Sequence, residues 1–275
     1  MRFTKLRGQH ILKDESVAER IVAAAELTPA DAVLEVGPGL GVLTRRIIQL
    51  AGRYVGVELD PRFVQELKKE FRGRENVEFV EADILKINII DFLSKSSNLK
   101  ANSYKLISNL PYNITSAFFK KVLTEKDPPE RAVVMIQNEV ALRICPPTSY
   151  KPRPTSLLGL MCNLYAECEY LFRVPKSAFS PPPKVESAVI RLKPYFGAEF
   201  FAKWGIERAR AEEMIAFIAV FFKNPRKMMS NALSREKAEA IKKALISIDI
   251  RPDARPADLA LTKWLSLWKK FEINH

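Results

Sequence analysis

The segment over residues 33–44, VLEVGPGLGVLT, constrains the fold of this chain more than any other stretch. Val33, Leu34 and Val36 predict a short buried strand, and the glycines that follow lie where the strand turns into a helix. Glycine lets the main chain approach a ligand closely and leaves amides at a helix N-terminus free to bind it. The spacing G-x-G-x-G differs from that of dinucleotide-binding proteins and lacks the lysine of a phosphate-binding loop, which argues against a nucleoside triphosphate.

Acidic residues follow two further predicted strands. Glu58 ends the strand predicted at 55–57 and lies 21 residues after Gly37, a separation at which an acidic side chain binds ribose hydroxyls. Asp83 follows the strand predicted at 77–80. Carboxyl ends of parallel strands share one sheet edge, where open α/β sheets bind ligands. Together these residues favour an adenosine-containing ligand, and they favour S-adenosylmethionine over a dinucleotide. The alternative is a tight turn flanked by two solvated acids.

The order of predicted elements indicates an α/β domain followed by helices. Strands and helices alternate through the first half of the chain, which predicts a parallel sheet with right-handed crossovers. Two strands, near 166–174 and 185–192, are joined by PKSAFSPPPK and predict an antiparallel edge. From Phe196 onward, apolar residues recur with helical spacing only. We therefore predict an α/β domain over residues 1–195 and a small all-α domain over 196–275.

Composition limits the possible partners and chemistry. The formal charge of +12 favours a polyanionic partner, although a very soluble surface would also carry it. No apolar run is long enough to span a bilayer and no secretory core begins the chain, so we expect a soluble cytoplasmic protein without a membrane partner. The 3 cysteines have neither zinc nor disulfide spacing. With 2 histidines, His10 and His275, we expect neither a metal site nor an imidazole base.

The second informative segment is Asn109-Leu110-Pro111-Tyr112, which follows a predicted strand at the same sheet edge. The exocyclic amine of a base is a poor nucleophile because its lone pair is delocalised into the ring. Hydrogen bonds to the Asn109 side-chain oxygen and the Leu110 carbonyl would favour a tetrahedral, reactive nitrogen, and Pro111 fixes the loop. No general base is needed, because the proton can leave to water after transfer.

Two aromatic residues are candidates to hold an extruded base. Tyr112 offers a face for stacking, and Phe179, in a loop stiffened by three prolines, offers a second. The alternatives are an Asn-capped turn with Tyr112 in the core, and a core Phe179 beneath a surface loop.

Six segments together resemble the ribosomal RNA adenine N6,N6-dimethyltransferases. They are GQHIL (8–12), VLEVGPGLGVLT (33–44), GVELD (56–60), EADIL (81–85), NLPYNIT (109–115) and FSPPPKVESAVIRL (179–192). The resemblance implies a Rossmann-like class I methyltransferase fold that uses S-adenosylmethionine without a metal. It also implies dimethylation of two adjacent adenosines near the 3′ end of small-subunit ribosomal RNA, within an immature subunit during ribosome biogenesis. We expect a monomer.

The same resemblance assigns roles to individual residues. It implies cofactor contacts for His10, Leu12, Gly37, Glu58, Asp83 and Asn109. It implies contacts with the target adenine for Asn109, Leu110, Pro111, Tyr112 and Phe179. In PRKMMSNAL (225–233), it implies RNA phosphate contacts for Arg226 and Lys227.

Two departures from the family pattern accompany the resemblance. Ile11 stands where many members have Phe, which is a mild change. Residues 145–157, CPPTSYKPRPTSL, replace the usual Tyr-Gly pair and Leu-Ser, and of these only Ser156 is retained. The resemblance therefore leaves the shape of the RNA entrance open.

Three other functions compete with the small-subunit assignment. A dimethyltransferase for large-subunit ribosomal RNA is disfavoured by PPPKVESAV and by Arg255, Pro256 and Leu259 in the tail. A non-enzymatic assembly or transcription factor is disfavoured by intact cofactor residues, although an assembly role can coexist with activity. A protein glutamine methyltransferase, which has an Asn-Pro-Pro-Tyr loop, is disfavoured by Leu110 and by the basic segments.

Overall fold

A computed structural model describes residues 10–90, 93, 104–149 and 155–273 of the chain. The chain divides into two units, Met1–Leu142 with Cys168–Pro194, and Arg143–Glu167 with Tyr195–His275. The sequence predicted one boundary, between residues 195 and 196, whereas the described residues of the range 143–167 group with the C-terminal helices. The indole Nε1 of Trp204, for example, donates a hydrogen bond to the Leu164 carbonyl at 2.8 Å.

The strands lie in the first unit, apart from the start of β7, and the second unit is mainly helical. The described strands are β1 (Ile11–Leu12), β2 (Ala32–Val36), β3 (Arg53–Glu58), β4 (Val77–Glu81), β5 (Tyr104–Asn109), β6 (Arg131–Gln137), β7 (Ala166–Val174), β8 (Phe179–Ser180) and β9 (Ser187–Pro194). The described α-helices are α1 (Glu15–Ala23), α2 (Thr44–Leu50), α3 (Pro61–Glu70), α4 (Thr115–Thr124), α5 (Asn138–Ile144), α6 (Leu157–Tyr165), α7 (Gly197–Trp204), α8 (Ala211–Phe222), α9 (Arg235–Ile246) and α10 (Leu261–Ile273).

Seven strands form one sheet in the order β4-β3-β2-β5-β6-β9-β7. The strands from β2 to β6 pair in parallel, and β9 pairs with β6 antiparallel. The predicted α/β class, with a mostly parallel sheet, is confirmed. The residue Val36 lies opposite Val57 on one side and Ser108 on the other, so three strands end level at the carboxyl edge. The Ser108 hydroxyl also donates to the Val36 carbonyl at 2.7 Å.

A second, two-stranded sheet joins the N-terminal arm to the proline-rich loop. Strand β1 pairs antiparallel with β8, so that Ile11 faces Ser180 and Leu12 faces Phe179. The amide of Lys13 extends this pairing by donating to the Ala178 carbonyl at 2.9 Å. Two-residue strands show no periodicity, so the sequence predicted only an arm packed against the sheet.

Helices α1 and α2 cover the sheet beside the glycine segment. Helix α1 begins after Asp14, whose carboxylate accepts hydrogen bonds from the amides of Ser16 and Val17 and so caps the helix. Helix α2 follows the glycine segment and turns Ile47 and Ile48 into the core. Packing of α2 therefore fixes where the glycine segment leaves the sheet.

The second unit has an aromatic core. The buried Trp264 ring lies 5.5 Å from Phe221, 6.1 Å from Phe222 and 6.4 Å from Phe217, measured between ring centroids. These rings belong to α8 and α10, which confirms the helices predicted in the tail. No helix in the described part of the chain is long and apolar enough to cross a membrane.

Replacing Ile47 with Ala is expected to lower the free energy of unfolding by about 2–5 kcal/mol, because it leaves a cavity in the core. The matched control is Leu50→Ala on the same helix, where the side chain is 44% exposed and the loss should be about 1 kcal/mol or less. Denaturant unfolding followed by circular dichroism measures both. Equal losses would contradict the assigned core face of α2.

Candidate active site

A cleft of about 330 Å³ opens at the carboxyl edge of the sheet in the first unit. Its walls come from the glycine turn (residues 37–41), the end of β3, the NLPY corner (residues 109–112) and the paired strands β1 and β8. The lining residues are His10, Ile11, Leu12, Glu35, Gly37, Pro38, Gly39, Leu40, Val42, Leu43, Glu58, Phe63, Asn109, Leu110, Pro111, Tyr112, Asn113 and Phe179. Its volume lies at the lower end of the range typical of ligand pockets, about 300–1,000 Å³.

The glycine turn adopts a conformation that other residues rarely tolerate. Gly37 and Gly39 have φ angles of 70° and 55°. The Gly37 amide donates to the Val57 carbonyl at 2.9 Å, which ties the turn to β3. A Cβ atom built on Gly39 would meet nothing within 4 Å. Glycine is therefore needed at this position for its backbone conformation, and the space above it is open to a ligand.

The Glu58 carboxylate is held in place by main-chain amides. Its Oε2 accepts from the Gly39 amide at 3.1 Å, and its Oε1 accepts from the amides of Leu59 and Asp60 at 2.8 and 3.0 Å. Burial raises the pKa of this carboxyl, and the three amide bonds oppose that rise. A fixed carboxylate with further lone pairs is a suitable acceptor for hydroxyl groups of a sugar.

A second carboxyl, Glu35, lines the cleft and was not among the predicted site residues. Its Oε2 accepts hydrogen bonds from the hydroxyls of Thr44 and Tyr54, each at 2.7 Å. Burial, together with the nearby charge of Glu58, raises the pKa of Glu35 to about 7. An acidic residue inside an otherwise apolar strand was the available signal, since a buried carboxyl needs polar partners.

The NLPY corner is anchored at both ends. The Leu110 amide donates to the Met135 carbonyl at 3.1 Å, and the Ile114 amide donates to the Pro111 carbonyl at 3.2 Å. In the part of the chain that the structure describes, the side-chain amide of Asn109 makes no hydrogen bond, so it is available to a ligand. The half-buried Tyr112 places its hydroxyl 2.6 Å from Ser187 Oγ.

His10, just before β1, and Phe179 of β8 line the cleft together with the corner. The side chain of Phe179 is 2% exposed and belongs to the core cluster, which agrees with the alternative interpretation of this residue as a core phenylalanine. It also lines the cleft. The Nδ1 of His10 lies 2.9 Å from the Pro181 carbonyl, a distance that requires a proton on Nδ1. The His10 ring centroid is 6.3 Å from that of Tyr112.

Some predicted site residues lie elsewhere. Asp83 follows β4, two strands from β2, and does not line the cleft; its carboxylate accepts a hydrogen bond from the Leu85 amide at 3.0 Å. Arg226 and Lys227 belong to the second unit. Residues 8–9 of the arm and 150–154 of the divergent segment lie outside the described residues. Among the described residues, no group of acids, cysteines and histidines could hold a metal ion.

Known proteins resemble this chain over nearly its whole length. The family described as "Ribosomal RNA adenine dimethylase" matches residues 2–272. A curated relative named "Ribosomal RNA small subunit methyltransferase A", from Synechococcus elongatus, is 36% identical over 94% of this chain and 92% of its own. The protein of the same name from Gloeobacter violaceus is 37% identical over 94% of this chain and 90% of its own.

Two solved structures resemble the whole chain. The 23S rRNA methyltransferase ErmE is 28% identical with a TM-score of 0.68, covering 95% of this chain and 99% of its own. A dimethyladenosine transferase from Plasmodium falciparum is 24% identical with a TM-score of 0.73, covering 96% and 98%. The second likeness supports the fold alone.

The raised pKa of Glu35 predicts a pH-dependent stability. As pH rises from about 4.5 to about 7, the unfolded chain releases the Glu35 proton before the folded chain does, so the free energy of unfolding falls. Glu35→Gln should remove this contribution, and the difference between parent and variant should change over that pH window and level off above it. Denaturant titrations at several pH values measure the difference, with Glu19→Gln, exposed on α1, as the control. Parallel profiles for parent and Glu35→Gln would contradict the raised pKa.

Proposed function

The chain belongs to the ribosomal RNA adenine dimethylase family, and from this premise we propose that it dimethylates the N6 amines of two adjacent adenosines near the 3′ end of small-subunit ribosomal RNA. The observation that carries the proposal is the shared cleft, because the glycine turn, Glu58 and the NLPY corner line one cavity. A methyl donor and an adenine amine can therefore meet there. We propose that the enzyme acts as a monomer in the cytoplasm, on RNA within an immature subunit.

The lining residues fit S-adenosylmethionine. When bound, this cofactor supplies an electrophilic methyl group carried by a sulfonium. The Glu58 carboxylate would accept hydrogen bonds from the ribose hydroxyls of the cofactor. The open space above Gly39 would allow the cofactor to lie close to the main chain. We further propose that His10, Leu12, Gly37 and Asn109 contact it. By resemblance, Asp83 would reach it from the loop after β4.

The NLPY corner would hold the target adenine. The side-chain oxygen of Asn109 and the carbonyl of Leu110 would each accept one hydrogen from the amine, which turns its lone pair out of the ring plane. Pro111 fixes the main chain between them, and Tyr112 would stack on the base with Phe179 near its edge. These residues need no imidazole base, because the proton can pass to water once the nitrogen is methylated.

A large-subunit substrate is the second candidate, because ErmE resembles the chain over nearly its full length. The relatives named for the small subunit are more similar in sequence, at 36% identity against 28%. We therefore favour the small subunit and treat the large one as an outcome of the test below.

Two groups of cations in the second unit differ in what they contact. Lys263 Nζ donates to the Ile248 carbonyl, just beyond the end of α9, at 2.7 Å, and Lys269 Nζ donates to the carbonyl of Trp204, the last residue of α7, at 3.1 Å. Arg226 and Lys227 are exposed residues that follow α8. We propose that this second pair contacts RNA phosphates.

The proposed function predicts the products of a labelling experiment. Incubation with labelled S-adenosylmethionine and immature small subunits should convert two adjacent adenosines to N6,N6-dimethyladenosine, located by mass spectrometry of RNA fragments. Large subunits serve as the parallel substrate. Label in protein, or in large-subunit RNA alone, would overturn the proposal.

Substitutions on the two sides of the cleft should affect cofactor binding and methyl transfer to different extents. Asn109→Ala is expected to lower the rate of methyl transfer by about 100-fold or more, because the amine loses a positioning acceptor, while cofactor binding falls less. Glu58→Ala should show the opposite balance, with cofactor affinity lost first. Calorimetric titration with S-adenosylhomocysteine and single-turnover kinetics measure the two quantities. Equal losses of binding and transfer in both variants would contradict these roles.

Arg226→Ala and Lys227→Ala should each weaken RNA binding and reduce the slope of log affinity against log salt by about 1. The matched control is Lys242→Ala, which removes an exposed lysine paired with Glu239 at 2.7 Å in the same unit. Filter binding at several salt concentrations measures the slopes. An unchanged slope in both test variants would refute phosphate contact by this pair.

A further inference from the structure

We infer that Ser187 is a positioning residue that holds the Tyr112 ring in the orientation required for the second of the two methyl transfers. This inference rests on the proposed function and assigns a role to a residue outside the cleft lining. The two hydroxyl oxygens lie 2.6 Å apart, and either can donate the hydrogen bond.

Ser187 is held by the sheet. It is fully buried, begins β9 and pairs with Gln137 of β6. The adjoining Glu186 carbonyl accepts from the Asn138 amide at 2.9 Å, so the main chain is fixed immediately before the serine. The hydroxyl of Ser187 therefore has a defined position to which another group can be tied.

Tyr112, by contrast, lies in a short 3₁₀ turn, Tyr112–Ile114, and its ring is only half-buried. Its carbonyl accepts from the Thr115 hydroxyl at 3.0 Å, which anchors the main chain but leaves the side chain free to rotate. The hydrogen bond to Ser187 ties down the far end of the ring. With both ends fixed, the ring keeps one face presented to the cleft.

The hydrogen bond persists across the neutral pH range. Burial raises the pKa of the Tyr112 hydroxyl, and the bond to Ser187 opposes this rise only in part. The phenol therefore stays protonated, and the pair remains two neutral hydroxyls that share one hydrogen bond.

The second transfer depends on this ring more than the first does. An unmodified adenine amine has two hydrogens, one for the Asn109 side-chain oxygen and one for the Leu110 carbonyl. After the first methylation the nitrogen carries one hydrogen, so one of these contacts is lost. Stacking on Tyr112 must then supply a larger share of the positioning, and a ring free to rotate supplies less of it.

The test compares Ser187→Ala, Tyr112→Phe and the double variant with the parent enzyme on immature small subunits. Mass spectrometry gives the ratio of N6-methyladenosine to N6,N6-dimethyladenosine at matched extents of reaction. Each single variant should raise this ratio by about 3- to 10-fold, the effect of losing one neutral hydrogen bond. The double variant should raise it no further, because both changes remove the same bond.

The control is Thr124→Val, which removes a hydroxyl at the end of α4 that bonds to the Lys120 carbonyl at 2.8 Å and not to Tyr112. Its product ratio should equal that of the parent. Binding of S-adenosylhomocysteine by Ser187→Ala should stay within about twofold of the parent, because the serine is not a lining residue.

The possible results distinguish a failure of the role inferred for Ser187 from a failure of the proposed function. If the parent enzyme dimethylates and either single variant keeps the parent ratio, the role of Ser187 is refuted while the function stands. Independent, multiplying effects in the double variant would also refute it. If the parent methylates no adenosine, both fail. Should Ser187→Ala not fold, Tyr112→Phe removes the same bond from the other side and decides the question.

Discussion

The parallel pairing of β2 with β3 and β5 is the constraint on which the site depends. Because Val36 is level with Val57 and with Ser108, the residues that follow them lie side by side at the carboxyl edge of the sheet. Those residues are Gly37, Glu58 and Asn109. A slip of one residue in this register would turn the Glu58 side chain to the opposite face. The buried core of the sheet and the Ser108 bond to the Val36 carbonyl oppose such a slip.

The two carboxyl groups that line the cleft, Glu35 and Glu58, differ in the groups that donate hydrogen bonds to them. The carboxylate of Glu58 receives main-chain amides on both oxygens, whereas Glu35 receives two hydroxyls on a single oxygen. Burial acts on both, and the charge of Glu58 adds to the rise in the pKa of Glu35. Glu58, which accepts a hydrogen bond from the Gly39 amide, therefore lies beside the open space at that glycine.

Sequence patterns predicted the elements that carry strong periodicity or tight turn chemistry. The alternation of strands and helices in the first unit and the helices of the tail were predicted, and the glycine turn lies between β2 and α2 as expected. Pairing of β1 with β8 could not be predicted, because two-residue strands have no period and their partners are far apart in the chain. Residues 143–167 were assigned to the first domain because a proline-rich stretch carries no sign of its packing partner. Glu35 was not predicted as a site residue because the hydroxyls of Thr44 and Tyr54, which donate hydrogen bonds to it, are brought together only by the fold.

The central claim is that one cleft holds both a methyl donor and the amine of an adenine. A crystal structure of the protein with S-adenosylhomocysteine and adenosine tests it most directly. We expect density for the cofactor ribose within hydrogen-bond distance of the Glu58 carboxylate. The amine of the bound adenosine, as distinct from that of the cofactor, should lie within hydrogen-bond distance of the Asn109 side-chain oxygen. Density for either molecule only outside the cleft, at concentrations that saturate binding in solution, would contradict the claim.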